Sequence, residues 1–475
     1  MNRQAAAAPI SKPSFGTGLA ASAPILFLIF TFLVGGGSRS DIASLPLLRA
    51  AAVLAAFWAA TRLTAEDWKR IRTPFILLVL LTAWIALQLV PLPPALWHAL
   101  PGRETIIAID GLLGQADLWR PISLTPSQTW NSLLAMPVPL AALLLAAKLD
   151  PEDYSKLMLA IVGVAGASAV LGFFQLLSGA GGVAYLYRIT NSDAMVGLFA
   201  NRNHNAVFLA CATVVAAALL RDERMRSRQS RPMQITLTFA VLTFTALTAL
   251  IGSRAGFVAG VIAFAISYAM LVSAWHAKPA GRRGSAAPVG AVGIWRYLIY
   301  SPPVLLALLL GTAISLSDRT TAFSRLADQG AGDDMRVQAW PTILSIIEKY
   351  WVAGSGMGSF PDVYQIFESD ALLSSFYFNH AHNDWAEVLL TGGVPAVLIL
   401  ISAIGWFVRR FLSQGSHNLI KGFRGDLRLT VLTVIIILAG ASIVDYPLRV
   451  PSIQVMTIML VVMLSCPASA HPRRD

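Results

Sequence analysis

Long apolar runs separated by short polar segments recur along the whole chain. The hydrocarbon core of a bilayer needs about 20 apolar residues per helix, and about twelve runs approach that length. In lipid only helices and closed barrels satisfy the backbone polar groups, so these runs predict an all-α, polytopic membrane protein. The predicted spans are 19–36, 44–61, 74–91, 128–147, 156–178, 203–220, 233–251, 255–274, 297–316, 385–407, 429–445 and 451–467.

Composition agrees with a membrane protein, because 56% of the residues are hydrophobic, only 13% are charged and the mean hydropathy is +0.64. Most of the 36 basic residues fall in the loops on the side of the N-terminus. The positive-inside rule therefore predicts that both termini are cytoplasmic, and topology accounts for the net charge of +11. The basic residues are spread over many short loops without interleaved aromatic residues, so no nucleic-acid partner is predicted.

The simplest organisation is one polytopic membrane domain over residues 1–475, with cytoplasmic tails at 1–18 and 468–475. One outer loop, 317–384, is too long for a passive connection. We expect it to form short amphipathic helices that lie on the membrane surface.

Two features of that loop predict its local structure. Pro341 interrupts a run of apolar residues at near-helical spacing, and we expect it to start a second short helix. The segment "GSGMGSF" (354–360) then predicts a flexible glycine turn.

Five polar clusters fall on the predicted outer side of the membrane. They are "NRNHN" at 201–205, Arg254 in "GSRAG", Asp334 and Arg336 in "GDDMR", His380, His382 and Asp384 in "HAHND", and Asp445 and Arg449 in "VDYPLR". Each has an ordinary explanation: Arg449 could snorkel to headgroups, Asn203 could cap a helix, and Asp384 could favour a helix dipole. These explanations fit single clusters better than they fit the set.

Arg254 is the hardest of these residues to explain by structure alone. The connection between the seventh and eighth spans is only a few residues long, so its guanidinium must lie near the bilayer interface. Gly252 and Gly256 on either side let a ligand approach the backbone closely. Because a guanidinium matches phosphate oxygens bidentately, a phosphate is a good candidate partner.

The "HAHND" string allows two kinds of chemistry. An H-x-H pair occurs in some metal sites, but His98 and His204 are the only further histidines on the outer side, which makes a short ligand list. A general base fits better, since a neutral imidazole can accept a hydroxyl proton at ambient pH. We therefore expect His382 to be a base, with no metal and no cofactor, and assign no role to His380.

Six strings in order resemble the O-antigen ligase and O-antigen polymerase family of bacterial inner-membrane transferases over about residues 120–460. They are "FANRNHNA", "GSRAG", "DDMRVQAW", "GSGMGSF", "HAHNDWAEVLLTGGVPA" and "VDYPLRVPS". In the family pattern a His is followed by Asn or a similar residue, then by nine further residues and a Gly. This chain matches the pattern with His382, Asn383 and Gly393. The pattern then commonly has a second Gly, where this chain has Ala396.

The resemblance implies a metal-independent, inverting glycosyltransferase of surface polysaccharide or lipopolysaccharide biosynthesis, in the inner membrane with its active face periplasmic. The donor would be an undecaprenyl-diphosphate-linked glycan, and the acceptor a glycan or a lipid A core. His382 would activate the acceptor hydroxyl, while Arg254 and Arg336 would hold the lipid diphosphate. The residues predicted to bind substrate are Arg202, Asn203, His204, Asn383, Asp384 and Arg449.

Two alternatives stay open at this point. The strings look more like members that polymerise repeat units than like ligases, but both activities share the donor chemistry. A transporter or flippase of a lipid-linked glycan would also suit about twelve spans. It would need paired charges near the bilayer midplane, whereas apart from Arg49 the charges lie at one face.

Overall fold

The computed structural model describes residues 15–179, 182–192, 194–226, 229–276, 335–373, 378–413 and 422–465. Its α-helices are α1 Phe15–Val34, α2 Leu45–Ala60, α3 Ala65–Leu87, α4 Pro94–His98, α5 Glu104–Leu112, α6 Pro126–Ala135, α7 Pro137–Ala147, α8 Tyr154–Ser178, α9 Arg202–Met225, α10 Arg231–Leu250, α11 Arg254–His276, α12 Met335–Tyr350, α13 Phe360–Phe367, α14 Asp384–Ser413, α15 Gly422–Ala441 and α16 Pro451–Met463. The described strands are β1 Pro91–Leu92 and β2 Arg120–Pro121, which pair antiparallel. Short 3-10 helices lie at Pro151–Asp153, Asp370–Leu372 and Pro447–Arg449.

Seven helices of the described residues are long and apolar enough to cross a membrane, which makes the chain a multi-pass membrane protein. They match the third to eighth and the tenth predicted spans: Ala65–Leu87, Pro126–Ala147, Pro151–Ser178, Arg202–Met225, Arg231–Leu250, Arg254–Ser273 and Asp384–Ser413. The apolar parts of α1, α2 and α16 are shorter, and the ninth predicted span, 297–316, lies outside the described residues. The helical class is confirmed, but the count of twelve spans is not.

Helix α9 is the centre of the bundle, because its apolar window is entirely buried. It packs against α8, α10, α11 and α15, while α7 is the centre of a second group with α1, α2, α3 and α16. Small side chains let membrane helices approach closely, and α9 is rich in alanine. A Cβ added to Gly256 would collide with that of Ala206, so α11 starts in close contact with the first turns of α9.

Several helices have their ends on one side of the bundle, here called the His382 end. The backbone of Ser452 at the start of α16 donates to Gly35 after α1, at 3.0 Å. Asp384 at the start of α14 donates to Ser442 after α15, at 2.9 Å. The predicted outer loops therefore meet at one end, and the loops predicted to be cytoplasmic meet at the opposite end.

The described part of the predicted loop 317–384 forms a cap layer, residues 335–373 and 378–383. Its hydrophobic core, which Leu390 of α14 completes, consists of Ala339, Ile343, Ile346, Tyr350, Phe360, Val363, Tyr364 and Ala381. The amphipathic helices predicted here are present, as α12 and α13. Their apolar faces pack on each other and on the start of α14.

The prediction that Pro341 starts a second helix is wrong, because α12 runs through it without interruption. A proline inside a helix costs about 3 kcal/mol, since it removes one backbone hydrogen bond and crowds the preceding turn. The burial of Ala339, Ile343 and Ile346 in the cap core opposes that cost. Arg336 consequently stands in the first turn of a continuous helix.

Helix α14 is broken inside its span at Gly393, which has φ +63° and ψ −168°. The break leaves backbone carbonyls without helical partners, and these accept hydrogen bonds from elsewhere. Thr391 accepts from the backbone of Gly356 and from the amide of Gln88, both at 3.0 Å. The indole of Trp84 donates to Gly392 at 2.7 Å. Every polar backbone group in a membrane needs such a partner, so α3 and the glycine turn together support the break.

The glycine turn at 354–360 is present, but hydrogen bonds and close contacts hold it in place. Gly354, Gly356 and Gly358 all have positive φ, which favours glycine. A Cβ at Gly354 would collide with the carbonyl of Thr391. The turn therefore fits directly against the break in α14.

Candidate active site

Asp445 lies at the centre of a buried polar cluster at the His382 end, with only 1% of its surface exposed. Its Oδ2 accepts from the amide of Asn203 at 2.7 Å, and its Oδ1 accepts from the backbone of Tyr446 at 3.0 Å. The same Oδ1 lies 3.4 Å from Nδ1 of His382 and 3.7 Å from Nε2 of His204. One carboxylate thus joins α9, the cap layer and the segment between α15 and α16.

The pKa values of this cluster favour a neutral imidazole beside an ionised carboxylate. Burial alone would raise the pKa of Asp445, but the neighbouring rings of His204 and His382 hold it well below its usual range. Burial lowers the pKa of His382, and the Arg336 guanidinium adds to that effect while Asp445 opposes it. His382 is therefore neutral at ambient pH.

The proton on that neutral ring is positioned by Asp445. Because Nδ1 faces an anionic oxygen, the geometry assigns the ring proton to Nδ1 and a free lone pair to Nε2. At this 3.4 Å separation Nδ1 of His382 makes no hydrogen bond to Asp445 in the structure, and catalytic pairs often tighten only when substrate binds. The side chain keeps 16% of its surface exposed, so a reactant can approach it.

His382 is the one non-glycine residue with positive φ, +51°, in the described part of the chain. For an L-residue such a conformation costs about 1–2 kcal/mol, so neighbouring contacts must impose it. Glu387 supplies these contacts: its Oε2 accepts from the backbone of Ala381 at 2.8 Å, and its Oε1 lies 3.0 Å from Nδ1 of His380. His380, for which the sequence suggests no role, thereby helps to fix the turn that presents His382.

An ion-pair network surrounds Glu387. Arg449 donates through Nε to Asp384 at 2.9 Å, and its Nη1 lies 3.1 Å from Oε1 of Glu387. Ser442 donates to the other oxygen of Asp384 at 3.0 Å. Snorkelling of Arg449 to headgroups is therefore the wrong explanation, because its guanidinium is directed into the protein.

Tyr446 packs three histidine rings together. Its ring centroid lies 4.3 Å from that of His380, 4.9 Å from that of His382 and 5.0 Å from that of His204. Tyr446 is 7% exposed, and burial together with the charge of Asp445 raises its pKa. It stays neutral and serves as an aromatic wall that fixes the ring positions.

The start of α9 differs from the prediction in its cap. Asn201 is the N-cap, since its side chain accepts from the backbone of Asn203 at 2.9 Å. The expectation that Asn203 caps the helix is wrong, because its side-chain amide donates a hydrogen bond to Asp445 instead. Arg202 is the first residue of α9, and its backbone donates to the side chain of Asn191 at 3.1 Å.

The two arginines predicted to hold a diphosphate lie at the start of α11 and α12. Arg336 donates through Nη1 to the carbonyl of Val444, next to Asp445, at 3.1 Å. Arg254 is exposed and begins α11, two residues before Gly256, where that helix contacts Ala206 of α9. Asn383 caps α14, where its Oδ1 accepts from the backbone of Ala386 at 3.0 Å.

Sequence reasoning placed Asp445 in a polar cluster but gave it no role. One signal was available for Asp445, an acid directly at the end of a predicted span, where an unpaired charge is costly. Within the described ranges, no group of three or more His, Cys, Asp or Glu side chains could hold a metal ion. The arrangement can carry out general-base chemistry beside the guanidinium group of Arg336.

A protein-family model described as O-antigen ligase matches residues 239–401. The match contains His382, Arg254 and Arg336, whereas His204 and Asp445 lie outside it and reach the cluster through the fold. A search of curated proteins finds no match. The family match supports a glycan ligase-like or polymerase-like role in polysaccharide biosynthesis. Residues 239–401 of this chain are thus similar to the O-antigen ligase family.

Proposed function

We propose that the protein transfers a glycan from undecaprenyl diphosphate to a hydroxyl of an acceptor sugar, on the periplasmic face of the bacterial inner membrane. Neutral Nε2 of His382 takes the hydroxyl proton as the oxygen attacks the anomeric carbon. The bond from that carbon to the diphosphate breaks, and undecaprenyl diphosphate leaves with the bonding electrons. Attack opposite the leaving group inverts the anomeric configuration, and no metal is required.

The observation that carries this proposal is the pairing of His382 with Asp445. A general base must be neutral, reachable and fixed in one tautomer. Burial keeps the pKa of His382 low, Asp445 fixes its proton on Nδ1, and the strained turn presents the ring at the end of the bundle. Such a position suits a donor whose lipid stays in the membrane while its sugar meets an acceptor from the water.

Arg254 and Arg336 are the proposed diphosphate ligands. Each lies in the first turn of a helix, so the positive end of that helix dipole adds to the charge of its guanidinium. Charge on the diphosphate oxygens grows as the glycosyl bond breaks, and fixed cations there stabilise the transition state. We expect Arg202 and Asn383 to contact the glycan near the same helix starts.

Buried residues among the predicted substrate ligands have a different proposed role. His204 is 2% exposed behind Asp445, while Asp384 and Arg449 bind each other. We therefore assign all three, with Asn203, to positioning the base and its turn. Their effect on substrate would be exerted through His382 and Asp445.

The test uses purified protein reconstituted with a lipid-linked oligosaccharide of defined structure. The H382A variant should lose about 10²–10⁴-fold in glycan transfer, the usual contribution of a general base. H98A is the matched control, since His98 lies in α4 outside the cluster, and it should retain wild-type transfer. R254A and R336A should weaken donor binding.

Wild-type transfer by H382A and R254A together would overturn the proposal. Movement of a labelled glycan across vesicles without a new glycosidic bond would instead favour a transporter. Supplying either a second copy of the donor or a lipid A core as acceptor separates the polymerase from the ligase, because the products differ in length and attachment.

A further inference from the structure

Helix α5 has its polarity inverted relative to a helix that faces water. Its buried residue is a carboxylate, Asp110, which is 3% exposed. Ile109, Leu112 and Leu113, which share one face at helical spacing, are 48%, 89% and 63% exposed. A surface helix in water would bury its leucines and expose its acid.

The segment 93–119, which carries α5, extends away from the bundle between β1 and β2. Contacts at both ends of this segment fix the orientation of α5. Arg120 on β2 donates through Nε to Oδ2 of Asp110 at 2.7 Å. Arg103, which is 1% exposed, donates to the carbonyl of Ile122 at 2.6 Å and lies between the rings of Trp97 and Tyr350. These contacts direct the apolar side of α5 away from the protein.

The exposed apolar surface continues beyond the helix. Leu118 and Trp119 are 45% and 63% exposed. The β1–β2 pair joins the two ends of the segment that carries α5. Strand β1 follows shortly after α3, and β2 shortly precedes α6. Helices α3 and α6 both carry exposed apolar side chains near the β1–β2 pair, such as Leu87 at 48% and Trp130 at 54%. The surface is therefore continuous with the sides of two helices that belong to predicted spans.

We propose that Ile109, Leu112, Leu113, Leu118 and Trp119, here called the α5 apolar face, insert into the bilayer leaflet at the His382 end. The partner is the lipid surface itself. Between Thr105 and Ala116 the one charged residue is Asp110, which the protein buries, so no exposed charge within this stretch opposes insertion. The exposed Glu104 and Asp117 flank the stretch at its two ends. A tryptophan such as Trp119 is typical of the membrane interface.

Insertion of the α5 apolar face would set how deeply the His382 end of the bundle lies in the membrane. Arg103 at the start of α5 also donates to the carbonyl of Gly354 at 3.4 Å, in the turn that supports the break in α14. A Cβ at Gly102 would meet the ring of Tyr350 in α12 at 2.7 Å. Lipid contact at the α5 apolar face is thereby linked through packed residues to the cap layer. The inference does not depend on the proposed transfer reaction.

The test places nitroxide spin labels on single cysteines in liposomes and compares collisions with oxygen and with a water-soluble nickel complex. Labels replace Leu112 or Leu113 in a C211S/C466S background. Lys69, whose side chain is 66% exposed at the start of α3, serves as the water reference. Leu80, 49% exposed within α3, serves as the lipid reference.

We expect both labels to prefer oxygen, as at Leu80, and to lose that preference when the neighbouring leucine is replaced by aspartate. A preference for nickel, as at Lys69, would overturn the proposal. Low accessibility to both reagents would also overturn it, because protein would then cover the face, either residues 277–334 of this chain or a second polypeptide. An oxygen preference unchanged by L113D would show that the leucines do not hold the segment in lipid.

Discussion

Both ends of the bundle contain buried ion pairs that join distant elements, but the two ends use them differently. At the opposite end Lys148 lies 2.6 Å from Asp67, and Arg221 lies 3.0 Å from Asp426. Each cation there faces a carboxylate of another helix. At the His382 end the carboxylate of Asp445 instead faces two histidine rings.

The backbone differs between the two ends as well. Every residue with positive φ in the described ranges lies in the loops of the His382 end or at the break in α14. Strained or glycine-dependent conformations persist only where surrounding contacts impose them, and they concentrate at functional sites. The comparison indicates that ion pairs at the opposite end tie helices together, while those at the His382 end hold one side chain in a defined position.

Replacing Asp445 is the most direct test of this difference between the two ends, and we expect it to have the largest effect. D445N keeps the shape but removes the charge, so we expect transfer to fall by about 10³-fold while the folded yield stays near wild type. Asp445 raises the pKa of His382, and its loss lowers that pKa further. Since the base must be neutral, the acidic limb of the pH–rate profile, already below the ordinary histidine value, should move to lower pH.

The readouts for D445N are single-turnover transfer rates across pH and the melting temperature in detergent. A limb that moved to higher pH would contradict the assigned role of the carboxylate. N203A is a useful companion, because it removes a hydrogen-bond donor to Asp445 but leaves the charge, and it should cost less activity.

Glu387 should give the next largest effect. E387Q weakens the support of the left-handed turn at His382 and leaves Arg449 with Asp384 as its remaining acidic partner. Because a displacement of about 1 Å can cost about 10²-fold in rate, we expect kcat to fall by that order with little change in KM. Kinetics at saturating donor measure it. A rise in KM with little change in kcat would indicate a binding role instead.

These two predictions rest on features that the sequence could and could not provide. Apolar periodicity and charge bias were enough to predict the helical class and to place His382, Arg254 and Arg336 at helix ends on one side. The partners of His382 were not predictable, because a sequence pattern carries no distance between a loop at 378–383 and Asp445. The continuous α12 through Pro341 was missed for a related reason: burial of its apolar face in a tertiary core overrode the local cost of proline.

A smaller effect is expected from the break in α14. In G393A the new Cβ would meet the backbone of Gly354 at 2.6 Å. The alanine would also have to keep the positive φ of Gly393, which costs an L-residue about 1–2 kcal/mol before any clash. We expect a lower melting temperature in detergent and a severalfold loss of transfer, because the glycine turn must shift. G405A is the matched control, since a Cβ there meets nothing within 4 Å. Equal melting temperatures for the two variants would contradict the close fit.

The smallest effect on catalysis should come from the opposite end. R221M leaves Asp426 without its buried partner, and loss of one member of such a pair costs about 3–5 kcal/mol. The melting temperature should therefore fall, while the transfer rate per folded molecule stays unchanged. The double variant R221M/D426L removes both charges, and apolar replacement of a buried pair is often neutral, so stability should return. A change in the pH–rate profile of either variant would mean that this pair acts on His382, and the contrast between the two ends would be wrong.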